Sequence, residues 1–283
     1  MAHPLSYTLN RAVDALIHDP KKLGREIVFR ARRQLQSHPS IVTHSINGVN
    51  FEFDFAFDYS IERMYYNVYE REVISVLQRY LKAGDSFIDV GANIGYLSAI
   101  ALSIVGKSGA VHSFEPVPRY FDKLKKLPIA NPGYHIHVNQ AAAGGAEGTA
   151  SIAVTNLPNI GWNTMVPGFM SEDTVAQKVD VPVRRLDNYI REQNIKNISL
   201  IKIDTEGYEF PTLEGLSGYL KDQRPLLVVE VAPGAYKHLG HTLADLDALL
   251  ATYRYRLSLV KSPAQFVAAT TLTNTTNVLL TPL

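Results

Sequence analysis

A chain of 283 residues, 46% hydrophobic and 19% charged, can form one large α/β domain with extensions and bury a substantial core. Its net charge of +1 provides no global field to recruit nucleic acid or an acidic membrane. The absence of cysteine excludes disulfides, thiolate metal sites and a cysteine nucleophile. Met1 to His18 lacks the apolar core and cleavage pattern of a secretory signal, and no apolar run is long enough to span a bilayer. A cytoplasmic location is therefore expected, with no transmembrane segment and no nucleic-acid partner; oligomeric state stays open.

Asn10–Gln36 has apolar residues at helical period, with Lys21, Lys22, Arg25, Arg30, Arg32 and Arg33 among them. A basic arm for nucleic acid or lipid is one reading, but the interspersed Asp14, Asp19 and Glu26 favour a solvated helix face. Ile46 to Phe57 alternates, with Phe51, Phe53, Phe55 and Phe57 on one face and Glu52, Asp54 and Asp58 near the other. That predicts a half-buried strand in a hairpin with 40–46, turning at Asn47-Gly48. A helix opened by Tyr65–Glu70 should run to Tyr80 and end at Lys82-Ala83-Gly84-Asp85. Residues 1–80 thus form an N-terminal helix and hairpin extension to a domain at 81–283.

Strands are expected at 86–90, 110–114, 134–140, 199–204, 226–231, 254–260 and 275–281, and helices at 94–105, 118–130, 186–194, 209–222 and 241–252. Their alternation calls for a seven-stranded, mostly parallel sheet of α/β class. The last two strands have no helix between them and should form an antiparallel hairpin. An insertion over residues 145–184 contains two alternating segments, 149–155 and 178–184, and Pro182 confines the second to an edge.

The most informative segment is Ser86-Phe-Ile-Asp-Val-Gly-Ala-Asn-Ile-Gly95, a short apolar run entering a glycine turn that leads into a helix. A strand–turn–helix start of this kind lets backbone approach a nucleotide-like ligand. Glu115, at the end of the next strand, is placed to accept hydrogen bonds from both ribose hydroxyls of a nucleoside. The spacing Gly91-x-x-x-Gly95, with Asn93 between, departs from the Gly-x-Gly-x-x-Gly that a pyrophosphate requires. Asp89 is a poor neighbour for a diphosphate and a good one for an ammonium or sulfonium. Both departures favour S-adenosylmethionine over a nicotinamide dinucleotide, leaving a nicotinamide-dependent oxidoreductase as a weaker alternative.

Residues 199–215, Ser-Leu-Ile-Lys-Ile-Asp-Thr-Glu-Gly-Tyr-Glu-Phe-Pro-Thr-Leu-Glu-Gly, resemble the hallmark segment of the FkbM family of methyltransferases, Lys-x-Asp-x-Glu-Gly-x-Glu ending in Leu-x-Gly. The Ile88–Gly95 turn, Phe114-Glu115-Pro116, Arg185-Leu186-Asp187 and Arg224-Pro225 before Val229-Glu230 match the same family, in its order, across residues 65–260. The resemblance implies a Rossmann-like class I methyltransferase fold with an antiparallel C-terminal strand. It also implies S-adenosylmethionine-dependent methylation, usually of a hydroxyl on a glycan or secondary metabolite, without identifying the acceptor. It puts the adenine edge at Gln140 to Ala142, including Ala141. A non-catalytic relative that binds cofactor or glycan is the rival from another class.

Methyl transfer from a sulfonium is an in-line displacement, so acceptor, methyl and sulfur must be aligned and the acceptor's proton removed. In an open α/β sheet the ligands lie beyond the carboxyl ends of the strands. Gly91, Asn93 and Gly95 should shape the turn around the methionine moiety, with Asp89 near its ammonium, Glu115 on the ribose, and Glu70, with Tyr69, reaching in from the preceding helix. Lys202, an ammonium inside an apolar strand, is expected to pair with a carboxylate such as Asp89 or Glu230. Asp204 and Glu206 fall where the acceptor should lie. Three roles compete for them: general base, oxygen ligands for a divalent cation with Glu230 as a third, or binding of cofactor or acceptor hydroxyl. Glu209 favours the helix dipole. His238 is a candidate base in the loop after the fifth strand, with His241 nearby, whereas His112 is read as structural. Trp162, Asn163 and Thr164 of the insertion either contact a sugar or anchor a loop.

Overall fold

Apolar strands buried on both faces, framed by helices, generate a central sheet. The computed structural model describes residues 40–58, 60–155 and 163–283. The helix expected over Asn10–Gln36 and the position of Trp162 lie outside the described residues. The chain divides into two compact units, Met1–Val42 with Phe53–Tyr69, and Thr43–Glu52 with Glu70–Leu283. Residues from Glu70 onward, including the helix before the glycine turn, fall in the second of these units.

Strands β1 (Ile41–Ile46) and β2 (Val49–Asp54) pair in a hairpin. Asn47 (φ +47°) and Gly48 (φ +93°) form its turn, the left-handed pair that a two-residue hairpin loop requires. The expected strand to Phe57 ends earlier, because the Asp54 carboxylate accepts from the Ala56 N–H and the chain turns. The continuous helix expected through residues 65–80 is two pieces, α1 (Ser60–Tyr65) and α2 (Arg71–Tyr80), interrupted by left-handed Asn67 and Glu70.

The second unit continues with β3 (Ser86–Val90), α3 (Tyr96–Val105), β4 (Ala110–Phe114), α4 (Pro118–Leu124), α5 (Lys126–Ala130) and β5 (His135–Asn139). Pro128 accounts for the break of the expected 118–130 helix, because its ring crowds the carbonyl four residues back and it offers no N–H. A separate three-stranded sheet then holds β6 (Ala142–Ala143), β7 (Gly148–Thr155) and β8 (Val175–Arg184) in the order β6-β8-β7. β7 and β8 are the two arms of the insertion and pair antiparallel.

After the insertion come α6 (Leu186–Glu192), β9 (Ile198–Ile203), α7 (Glu209–Glu214), α8 (Ser217–Asp222), β10 (Leu226–Val231), α9 (Pro233–Tyr236), α10 (Leu243–Tyr253), β11 (Tyr255–Leu259), β12 (Ser262–Val267) and β13 (Thr276–Pro282). The helix expected at 209–222 is split because Asp187, at the start of α6, accepts the Gly218 and Tyr219 N–H groups at 2.9 Å and starts α8 afresh. A capping box between Thr242 and Asp245 opens α10.

The main sheet runs β12-β11-β13-β10-β9-β3-β4-β5. β10, β9, β3, β4 and β5 are mutually parallel, while β13 lies antiparallel between β10 and β11. This is a Rossmann-like arrangement with a reversed strand inserted near one end, as the resemblance implies. All seven expected strands are present, and β11 and β13 are antiparallel neighbours. The sheet nevertheless has eight strands: the stretch that begins Ser262-Pro263-Ala264-Gln265, between the last two expected strands, forms β12 on the outer edge of β11. Pro263 is compatible with that strand because an edge leaves one side of the ladder open. Ile88, Val90, Ile201, Ile203, Leu227, Val229, Val278 and Leu280 supply the sheet side of the core that α6, α7 and α10 cover. Among the described residues no helix is long and apolar enough to cross a membrane.

Candidate active site

The carboxyl ends of β3, β4, β9 and β10 bring the predicted residues together. At the end of β3 the backbone turns left-handed at Gly91 (φ +77°), Asn93 (+54°) and Gly95 (+89°), and Gly95 then starts α3. A side chain at Gly91 is excluded by the protein itself: a Cβ there would sit 1.7 Å from the Asp204 carbonyl oxygen. The turn is therefore packed directly on the backbone that follows β9, and the Asp204 N–H donates to the Val90 carbonyl at 3.1 Å.

Glu115 closes the turn from β4. Its Oε2 accepts from the Asn93 N–H and its Oε1 from the Val117 N–H, both at 2.9 Å. It is buried, and burial pushes its carboxyl up to about 7, against the pull of those two N–H groups and of Lys202. Glu115 thus holds Asn93 in place while standing at the mouth of the turn.

Asp89 has a different position from the one expected. Its side chain has no exposed surface. Its Oδ2 accepts from Ser98 Oγ at 2.6 Å, Ser98 meets Ser113 Oγ at 2.8 Å, and its Oδ1 lies 3.5 Å from Lys202 Nζ. A carboxylate enclosed in this way cannot touch an ammonium from outside, so direct contact with the cofactor is corrected to an indirect role. Lys202 is the intermediary. It is buried as expected, donates to the Gly91 carbonyl at 2.8 Å and lies 3.2 Å from Asp204 Oδ2. Asp204 and Asp89 together raise its pKa well above the ordinary lysine range despite burial.

Beyond Asp204 the chain forms a strained loop, with Glu206 left-handed at φ +52° and Gly207 at +102°. Glu209 braces it: Oε1 accepts from the Thr205 N–H and hydroxyl at 3.1 Å and from the Gly207 N–H at 2.9 Å. Glu209 is wholly buried, and burial pushes its carboxyl up to about 7. Its place at the start of α7 was legible, but its grip on the preceding loop was not. The Thr205-x-x-x-Glu209 spacing, close to that of a capping box, was the available signal.

Asp204, Glu206 and Glu230 converge, with one carboxylate oxygen from each within 4.8 Å of the others. Burial followed by the Asp204 charge pushes Glu206 up to about 9. The Asp204 charge followed by burial pushes Glu230 up to about 11. Crowded, buried carboxylates oppose one another's ionisation, so the cluster favours uptake of positive charge. Oxygen ligands at this separation also suit a hard divalent cation. Glu230 lies opposite Asn277 of β13, whose Nδ2 is 3.4 Å from Glu70 Oε2. Glu70 adds its charge to the fields at Lys202, Glu206 and Glu230.

Three predicted residues stand apart from this cluster. Gln140 is exposed after β5 and Ala141 buried beside it. His238 is exposed on the short turn Lys237–Leu239, with its ring edge-on to Phe169 at 6.0 Å, and His241 stacks on Phe210 at 3.9 Å. Carboxylates, not histidine, surround the position beyond Asp204. His112 is structural: it is buried, its Nδ1 meets Tyr189 Oη at 2.9 Å, and burial drives its pKa down to about 3.

A site with this many carboxylates around one paired lysine, and no succession of glycine N–H groups, opposes a diphosphate and suits a ligand with sulfonium and ammonium charges. Residues 89–257 match the methyltransferase FkbM domain. The chain belongs to the FkbM methyltransferase family. The cofactor of that family is S-adenosylmethionine, which the charge of the site accommodates. The chain is 28% identical over 162 residues to methyltransferase sdnD of Sordaria araneosa, covering 48% of this chain and 62% of that one. It thus spans less than two thirds of that relative's length. It is 24% identical over 193 residues to hexuronic acid methyltransferase AglP of Haloferax volcanii, covering 68% and 72% of the two chains. The crystal structure of methyltransferase FkbM from Methylobacillus flagellatus KT covers 79% of this chain and 55% of its own, at 17% identity and a TM-score of 0.44.

Proposed function

We propose that the chain is an S-adenosylmethionine-dependent O-methyltransferase acting on a hydroxyl of a sugar or of a polyhydroxylated metabolite. The observation that carries this reading is the direct packing of the Gly91 turn on Asp204, which sets the cofactor turn beside the Asp204–Glu206–Glu230 cluster. The hexuronic acid named for the Haloferax relative supports a sugar acceptor.

Bound S-adenosylmethionine would supply an electrophilic methyl group. Gly91, Asn93 and Gly95 would shape the methionine end of its site, Glu115 would accept from the ribose hydroxyls, and Gln140 and Ala141 would border the adenine. Lys202 fixes the Gly91 carbonyl relative to Asp204, and Asp89 fixes Lys202. An acceptor oxygen aligned with that methyl would take it up while the C–S electrons stayed on sulfur, leaving this chain's residues to orient the hydroxyl and receive its proton. The hydroxyl proton passes to the carboxylate cluster, with Glu206 as the receiving group. A carboxyl raised to about 9 is a stronger base than an ordinary glutamate, but only in its ionised fraction. Turnover should therefore rise with pH between 7 and 9.

Transfer of isotopic methyl to a panel of sugars and uronic acids, against pH, tests this. Glu206→Gln should lower kcat by about 10²–10⁴-fold and flatten the pH profile. Equal turnover in the variant, or a wild-type rate flat from pH 6 to 9, would rule out Glu206 as base. The separation of the three carboxylates favours a second reading, in which they hold a divalent cation that lowers the pKa of the acceptor hydroxyl. Loss of turnover in chelator and its return with magnesium or manganese would select that reading; indifference to chelator would exclude it.

A further inference from the structure

Within the insertion, Asn163–Val166 meets the loop that follows β9, and its path there is fixed by specific bonds. Thr164 exchanges backbone hydrogen bonds with Ala153 of β7 at 2.9 and 3.1 Å. Asn163 Oδ1 accepts from the Thr155 N–H at 3.1 Å. The Thr164 side chain faces away from that pairing: its hydroxyl donates to the Glu206 carbonyl at 2.6 Å and accepts from the Val166 N–H at 3.1 Å. Thr164 is 2% exposed, so no solvent can replace either bond. Next along the loop, a Cβ on Gly207 would lie 2.5 Å from Ala235 Cβ and 3.3 Å from Val166 Cγ2. Val166, Ala232 and Ala235, flanked by Phe169, Tyr208 and Leu239, make a small apolar cluster of their own.

Glu206 is therefore held from two sides. Glu209 grips the N–H groups of Thr205 and Gly207 from within, while Thr164 grips the Glu206 carbonyl from the insertion. A glutamate at φ +52° has no intrinsic preference for that conformation, and surrounding bonds must impose it. We infer that Thr164 is a positioning residue, through which the insertion sets the Glu206 carboxylate against Asp204 and Glu230. This rests on the reading of Glu206 given above. It makes the insertion part of the catalytic geometry.

Thr164→Val keeps the side-chain shape and removes the hydroxyl, and Thr164→Ser restores it. Thr164→Val should lower kcat about 10–100-fold, as expected for a reacting group displaced by about an ångström. Its affinity for S-adenosylmethionine should stay within about twofold of wild type, because the Gly91 turn and Glu115 are untouched. Thr164→Ser should recover most of kcat. Amide hydrogen exchange supplies a readout independent of turnover: Val166, Gly207 and Tyr208 should exchange faster in Thr164→Val and like wild type in Thr164→Ser. Unchanged exchange in Thr164→Val, or no rescue by serine in either measurement, overturns the inference. A wild-type protein silent with every acceptor would defeat the functional reading alone, since exchange would still decide the role of Thr164.

Discussion

Lys202 is the point at which stability and site geometry meet, and replacing it with methionine separates the two. Its side chain is 6% exposed and that of Asp89 not at all. Removing the ammonium leaves the Asp89 carboxylate buried with Ser98 as its hydrogen-bond donor and no opposing charge. Breaking a buried pair from one side costs about 3–5 kcal/mol, and the bond to the Gly91 carbonyl is lost as well. Against a total stability of about 5–15 kcal/mol this is a large fraction. Urea unfolding of Lys202→Met followed by circular dichroism should show it. Asp89→Asn combined with Lys202→Met removes both charges and should recover about 2 kcal/mol or more over Lys202→Met alone. A deficit below about 1 kcal/mol, or strict additivity of the two substitutions, would refute the role assigned to the pair.

Two further outcomes bear on the cofactor side. Gly91→Ala puts a methyl into the Asp204 carbonyl and a non-glycine residue into left-handed backbone, at a cost of about 3 kcal/mol or more. Gly240→Ala, at φ +75° but with open space around it, should cost only about 1 kcal/mol; equal thermal shifts for the two would show that the Asp204 contact is not what demands glycine at 91. Glu115, raised to about 7, should bind S-adenosylmethionine better when ionised, so calorimetric affinity should weaken about tenfold from pH 8 to pH 6. Glu115→Gln retains every other titrating group and should remove that slope; parallel slopes in the two proteins would sever Glu115 from the ribose.

What was legible in the sequence is what is local in the chain. Ser86–Gly95 carries strand and turn within ten residues and leads straight into α3, and Glu115 follows at the end of the next strand. The same holds for the seven expected strands, each a short apolar run between turn residues. Features that depend on partners elsewhere were misread or invisible. Asp89 looks available from its position before a glycine turn, and only the convergence of Ser98, Ser113 and Lys202 encloses it. β12 reads as loop because its proline and polar residues lack strand character, and pairing with β11 overrides that. The break before α2 depends on a left-handed Glu70, with neither glycine nor proline to announce it.

The acceptor side is the extreme of this rule. Asp204 and Glu206 could be nominated because they are adjacent charges after a strand, yet their chemistry is set by groups distant in sequence. Glu230 comes from the next parallel strand, and Thr164 lies 42 residues before the carbonyl it binds. Convergence raises the carboxyls of Glu206 and Glu230 because Asp204 and burial both oppose further ionisation. Such a cluster favours uptake of a proton or a cation, and on the proposed function either one would couple it to the acceptor hydroxyl. An anionic acceptor such as a uronic acid would be attracted by a cation-holding cluster and would gain no such attraction from a proton-holding one. The response of uronic-acid turnover to chelator, compared with that of a neutral sugar, therefore reports which state of Asp204, Glu206 and Glu230 does the work.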